Sequence, residues 1–212
     1  MKKRMCFMLL LMSCSLCLCF MSNTYSRYVA GTTSNIDILF AKWQILVNDQ
    51  DISNGTNSEI TFTPIIEPNE NVAEGKVAPT SKGYFDIDID PTNVDVSFKY
   101  VIDLAIENEE IPDLMITKYS ILPSDYVEGD EVLYIDLVDN HISNSLIFDS
   151  NTSDFSFDSF TVRVYFEWYD GEDEQMNDDD DTLVGNDAAD EELSFVINAS
   201  IAFEQIVDIE NP

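Results

Sequence analysis

From Val94 to Ile106 every even-numbered residue is apolar, while Asp95, Ser97, Lys99 and Asp103 occupy odd positions. A strict period of two places one set of side chains on each face of an extended chain, and a helix cannot reconcile it. The pattern recurs. Phe85, Ile87 and Ile89 alternate with Asp86, Asp88 and Asp90. Val162, Val164, Phe166 and Trp168 alternate with Thr161, Arg163, Tyr165 and Glu167. Leu193, Phe195, Ile197, Ala199, Ile201 and Phe203 share one parity. The sequence therefore predicts an all-β domain whose strands each bury one face.

Further strands are expected at Ile36–Val47, Glu59–Ile66, Leu114–Ile121 and Glu131–Val138. The first changes parity, from Ile36, Ile38 and Phe40 to Trp43, Ile45 and Val47, which predicts a bulge near Ala41-Lys42. Turn residues at Ser53-Asn54-Gly55, Glu67-Pro68-Asn69, Ala78-Pro79-Thr80 and Asp90-Pro91-Thr92 separate the strands. About eight strands with one polar face each point to an antiparallel, two-sheet, jelly-roll-like sandwich. Trp43 and Trp168 share parity with aliphatic neighbours, so both read as core anchors. No segment after the N-terminus keeps a helical period, and residues 170–192 read as a long acidic loop.

The N-terminus has a different character. Lys2, Lys3 and Arg4 precede an uncharged apolar run from Met5 to Met21, which holds all four cysteines, Cys6, Cys14, Cys17 and Cys19. This is the layout of a helical signal peptide. Thr24 and Ser26 supply the small side chains that signal peptidase requires, so cleavage is expected between Ser26 and Arg27. The expected organisation is a signal peptide over 1–26 and one β-sandwich domain over 27–212. The exported domain would contain no cysteine, which sets it apart from disulfide-stapled secreted modules. Signal peptidase would be a transient partner during export, and no stable membrane insertion is expected once the signal is removed.

The chain carries 41 acidic and 10 basic residues, a formal charge of −31. Removing residues 1–26 would take away three of the bases and none of the acids. Such a surface repels phosphate backbones and anionic lipid, so nucleic acid is not an expected partner. Catalytic signatures are sparse. The single histidine, His141, sits in the sequence DNHISNS and reads as a solvated loop residue; there is no HExxH, and no serine sits in a nucleophile elbow. A non-enzymatic role follows, with no catalytic residue and no required cofactor. Calcium is the cation the acidic segment suits, with Asp178, Asp180, Asp181 and Glu191 as candidate oxygen ligands. The EF-hand spacing fails at Val184, which offers no side-chain oxygen. Asp86, Asp88 and Asp90 read as the outward face of a strand, and Lys42, Lys82, Lys99 and Arg163 as isolated bases.

Several blocks resemble one family. TYSRYVA resembles the end of a SipW-type signal, with Ser26 where alanine is usual. NIDILFAKW, KVAPTSKGYFDIDIDPTNVDVSFKY and VRVYFEW resemble its first strand, central block and late strand pair. Together they are similar to TasA/camelysin-like secreted proteins of Gram-positive bacteria. The resemblance implies a jelly-roll protein of the cell surface or biofilm matrix, with itself or other matrix proteins as partners. It also implies fibre formation by donation of an N-terminal strand, matching Ile36, Ile38 and Phe40 here. Camelysin's class as a metallopeptidase supplies the rival reading, and a monomeric calcium-binding envelope module is a third.

Overall fold

The computed structural model describes residues 2–22, 39–53, 60–107, 113–169, 178–190, 193 and 195–207. Two compact units divide the chain, Met1–Leu39 and Phe40–Pro212. In the first, helix α1 spans Lys2–Ser22, and Cys6 and Cys14 on it are exposed free thiols. Among the described residues no helix is long and apolar enough to cross a membrane. Ser26, Arg27, Ile36 and Ile38 lie outside the described residues.

The second unit is an all-β sandwich of antiparallel sheets. Its strands are β1 (Trp43–Val47), β2 (Gln50–Asp51), β3 (Ile65–Ile66), β4 (Lys82–Val94), β5 (Phe98–Ile106), β6 (Leu114–Pro123), β7 (Ile135–Asp136), β8 (His141–Leu146), β9 (Phe160–Trp168) and β10 (Ile197–Gln205). One sheet has the order β2-β1-β4-β9-β6-β7, with β3 also paired to β4; the other is β10-β5-β8. The core sits between them. Ile45, Val47, Phe85, Ile87, Ile89, Val162, Val164, Phe166 and Trp168 come from the larger sheet, and Phe98, Tyr100, Ile102, Leu104 and Ile142 from the smaller. Trp43 closes one end, edge-on to Phe98 at 6.2 Å. Both tryptophans therefore pack as the alternation predicts.

Three local expectations are corrected. The strand expected over Ile36–Val47 begins only at Trp43, so Ala41-Lys42 precede it, while Ile36 and Ile38 lie outside the described residues; the bulge that the structure does show is in β4. Gln44 pairs with Asn93 and Leu46 with Asp90, so Ile45 faces both Pro91 and Thr92 across a bulge. Proline suits that place because it has no N–H to give the ladder. Asp90-Pro91-Thr92 is consequently no strand-ending turn. The chain leaves the larger sheet at Asp95–Ser97, and Phe98 opens β5 in the smaller one. Unbroken alternation from Val94 to Ile106 thus spans two strands of two sheets. Parity survives the crossing because both ends face the same core.

The second correction concerns the expected strands at Glu59–Ile66 and Glu131–Val138, which shrink to the two-residue β3 and β7. His141, read as a loop residue, opens β8 instead. The third concerns the acidic loop, where helix α2 spans Asp178–Asp190. Asp181, Val184, Gly185, Ala188 and Ala189 line one cleft, a spacing of three and four residues that only a helix produces. Its inward residues are mostly small, so the sequence shows no strong apolar stripe. The sequence supplies four aspartates, Asp178 to Asp181, at the start of this helix, where negative charge is favoured by the helix dipole.

At one position only glycine fits. A Cβ on Gly83 would lie 2.5 Å from the Phe166 ring and 2.7 Å from the Ile65 carbonyl oxygen. Gly83 therefore leaves room for the Phe166 ring and lets β3 join the sheet.

Candidate functional site

Three features of the sandwich have chemical or recognition potential. The first is a cleft of about 1340 Å³ whose walls are residues 60–66, residues 74–79, α2, and the stretch from Leu193 to Ala199. Ile60, Phe62, Ile66, Val77, Val184 and Phe195 make its walls apolar, and Phe85 and Trp168 reach it from the core. Among the described residues a polar tether and an apolar contact hold α2 there. The Trp168 indole Nε1–H donates to Asp181 Oδ1 at 2.8 Å, in a buried setting, and Val184 packs against the core.

The tether bears on the calcium reading. Asp178, Asp180 and Asp181 fall on the first turn of α2, while Glu191 lies outside the described residues. Asp181 is 9% exposed and gives one oxygen to Trp168. Among the described residues no group of three or more His, Cys, Asp or Glu is arranged to hold a metal.

The second feature lies on the outer face of the larger sheet. Arg163, read from sequence as isolated, is 8% exposed and fully engaged. Its Nε and Nη2 donate to Asp86 Oδ1 and Oδ2 at 2.8 and 2.9 Å, and its Nη1 donates to Glu128 at 3.2 Å. The guanidinium also lies over the Tyr84 ring, 4.0 Å from its centroid, and over the Tyr126 ring at 5.7 Å. The hydrogen bonds to Asp86, more than any other cause, hold its pKa above the usual arginine value. Beside it Lys118 lies 4.2 Å from the Tyr134 ring centroid, and Ser120 meets the Tyr165 hydroxyl at 3.2 Å. Burial raises the Tyr84 and Tyr165 hydroxyls. Asp88 accepts from Thr161 at 2.6 Å and Asp90 from the Thr92 amide at 2.9 Å. The three alternating aspartates are thus committed to the protein itself.

Sequence reasoning missed this cluster because its members meet only through strand register. Arg163 pairs with Asp86 on one side and Ser120 on the other. His141 is likewise engaged: its Nδ1 lies 2.7 Å from Asp103 Oδ1 on the exposed face of the smaller sheet.

The third feature is the outer edge of β10. This strand pairs with β5 without interruption over nine residues, from Ile197↔Ile106 to Gln205↔Phe98. Among the described residues nothing pairs with its other side. By contrast the edges of the larger sheet, β2 and β7, are two residues long. The last edge, β8, is shorter than β10, and its Ser145 amide is already satisfied by Asn144 Oδ1. Phe40, the described member of the expected donor segment, is 92% exposed and in no strand.

No model of a known protein family matches the chain, and a search of curated proteins finds no significant match.

Proposed function

We propose that this is a non-enzymatic structural protein of the cell surface or extracellular matrix, exported after cleavage between Ser26 and Arg27, that works by strand pairing at its sheet edges. The observation carrying this reading is the nine-residue outer edge of β10, with which no described residue pairs, beside an open apolar cleft. Monomeric proteins blunt long edges with charge, bulges or cover, because an open ladder recruits another strand. Here β2 and β7 are blunted by shortness, whereas β10 is left long and regular. The resemblance to TasA/camelysin-like proteins points the same way. In this reading the segment around Ile36, Ile38 and Phe40 is the strand one subunit donates to the next, with main-chain hydrogen bonds supplying the affinity.

With 41 acidic and 7 basic residues, the chain from Arg27 carries a formal charge of −34, which opposes such assembly until cations or protons screen it. Negative-stain electron microscopy and sedimentation of the chain beginning at Arg27 are the test. Polymer is expected to increase with millimolar calcium, about the range of weak extracellular calcium sites, and with acid. Deleting residues 27–38 is expected to abolish it. Monomers or dimers alone under every condition would refute the polymer.

A further inference from the structure

We infer that the β10 edge is self-complementary: two copies of the protein pair β10 against β10 about a two-fold axis, joining their smaller sheets into one. The inference rests on the reading that the protein acts through sheet edges, but it seats a second copy's β10 on this edge in place of a donated strand and gives a closed product.

Register shows which groups are free. In an antiparallel ladder, directly opposed residues alternate between pairs that exchange both main-chain hydrogen bonds and pairs that exchange none. The Ile206 amide donates to the Ser97 carbonyl, and the Glu107 amide to the Val196 carbonyl. Even-numbered residues of β10 therefore bond to β5. The odd ones, Ile197, Ala199, Ile201, Phe203 and Gln205, aim their N–H and C=O groups at the outer side, where no described residue pairs.

Charge identifies the occupant. In a chain with 41 acidic residues, β10 reads INASIAFEQ and holds one, Glu204. Edges normally carry charge to repel copies of themselves; this one is nearly bare while the rest of the surface is dense with acid. Pairing two copies antiparallel about Ile201, the midpoint of the strand, matches all nine residues. That register sets Glu204 against Asn198 of the other copy rather than against its own twin. It also makes the odd residues the bonded pairs, as their outward amides require. Ile197, Ala199, Ile201 and Phe203, only partly buried along the cleft side of the sheet, would gain neighbours from the second copy. An isologous contact of this kind closes at two and does not propagate.

Analytical ultracentrifugation of the chain beginning at Arg27 tests this, because every core residue belongs to the unit starting at Phe40. A dimer is expected that tightens as salt screens the acidic bodies. Ala199→Pro removes an outward N–H and no bond to β5, so it should weaken dimerisation about tenfold or more while the circular dichroism spectrum stays unchanged. Independently, Asn198→Cys with Glu204→Cys places two cysteines on each strand, far apart within one copy but opposed across the two-fold. Oxidation should give a dimer on non-reducing gels. A monomer at all salt concentrations, a dimer indifferent to Ala199→Pro, or no crosslink in the double-cysteine variant would each overturn the inference. Fibres that need residues 27–38 but ignore Ala199→Pro would overturn it while upholding the proposed function. Dimers without fibres would do the reverse.

Discussion

Arg163 projects from the middle of β9 onto a face that should be wet, yet it is nearly covered, and two carboxylates and two tyrosine rings explain how a charge survives there. Asp86 retains 29% side-chain exposure and Glu128 74%, so solvent screens part of the attraction. Arg163→Met is therefore expected to destabilise the fold by roughly 2 kcal/mol, below the 3–5 kcal/mol typical of breaking a fully buried pair. Urea unfolding measures it, and Asp86→Asn should cost little more once Arg163 is gone. Tyr100 makes a complementary case at the same scale. Burial pushes its hydroxyl up to about 12, with the Asn144 side chain pulling the other way. The fold thus favours the protonated phenol. Its contribution is complete below pH 10 or so, the ordinary tyrosine value, and is lost as pH rises from there through about 12. The linked stability is on the order of 2–3 kcal/mol. In Tyr100→Phe that alkaline slope should disappear; an unchanged slope would assign it to another group.

Among the elements, α2 depends most on its surroundings. Gly185, Asn186 and the aspartates Asp187 and Asp190 near its C-terminus are poor helix residues, and no basic residue sits in its last turn. Docking through Asp181 and Val184 supplies what propensity lacks. Loss of a hydrogen bond to a charged group costs about 1.5–3 kcal/mol. Asp181→Ala is accordingly expected to speed amide exchange across residues 178–190 about tenfold or more, with β4 and β9 unchanged. Hydrogen-exchange mass spectrometry resolves the two regions, and uniform protection would show that the tether is dispensable. The alternation of β4, β5, β9 and β10 was legible because each of these strands faces the core along one side. β3 and β7 were over-read, since apolar residues in a covering segment alternate without joining a ladder for long.

At the scale of the molecule, burial and charge are separated. Most of the described acidic residues lie on outer faces and turns, with Asp113 and Asp181 the buried exceptions, so they cost the fold little and load the surface with repulsion. That repulsion is the barrier assembly must overcome, and it makes both proposed contacts sensitive to salt. Sheet ends tell the same story in backbone terms, with two edges cut to two residues and one left nine residues long.

By itself the amino-acid order determined the class of the fold, most of its long strands and which side of each is buried, because period-two hydrophobicity is a local property carried by every strand. Its charge balance likewise decided that the molecule as a whole is strongly acidic. Only the tertiary structure decided that Arg163 meets Asp86, that α2 forms and docks on Trp168, that alternation from Val94 onward divides between two sheets, and which edge of β10 stays open. Each of these depends on which strands become neighbours and in what register. Contacts between residues dozens of positions apart leave no periodic trace in the chain.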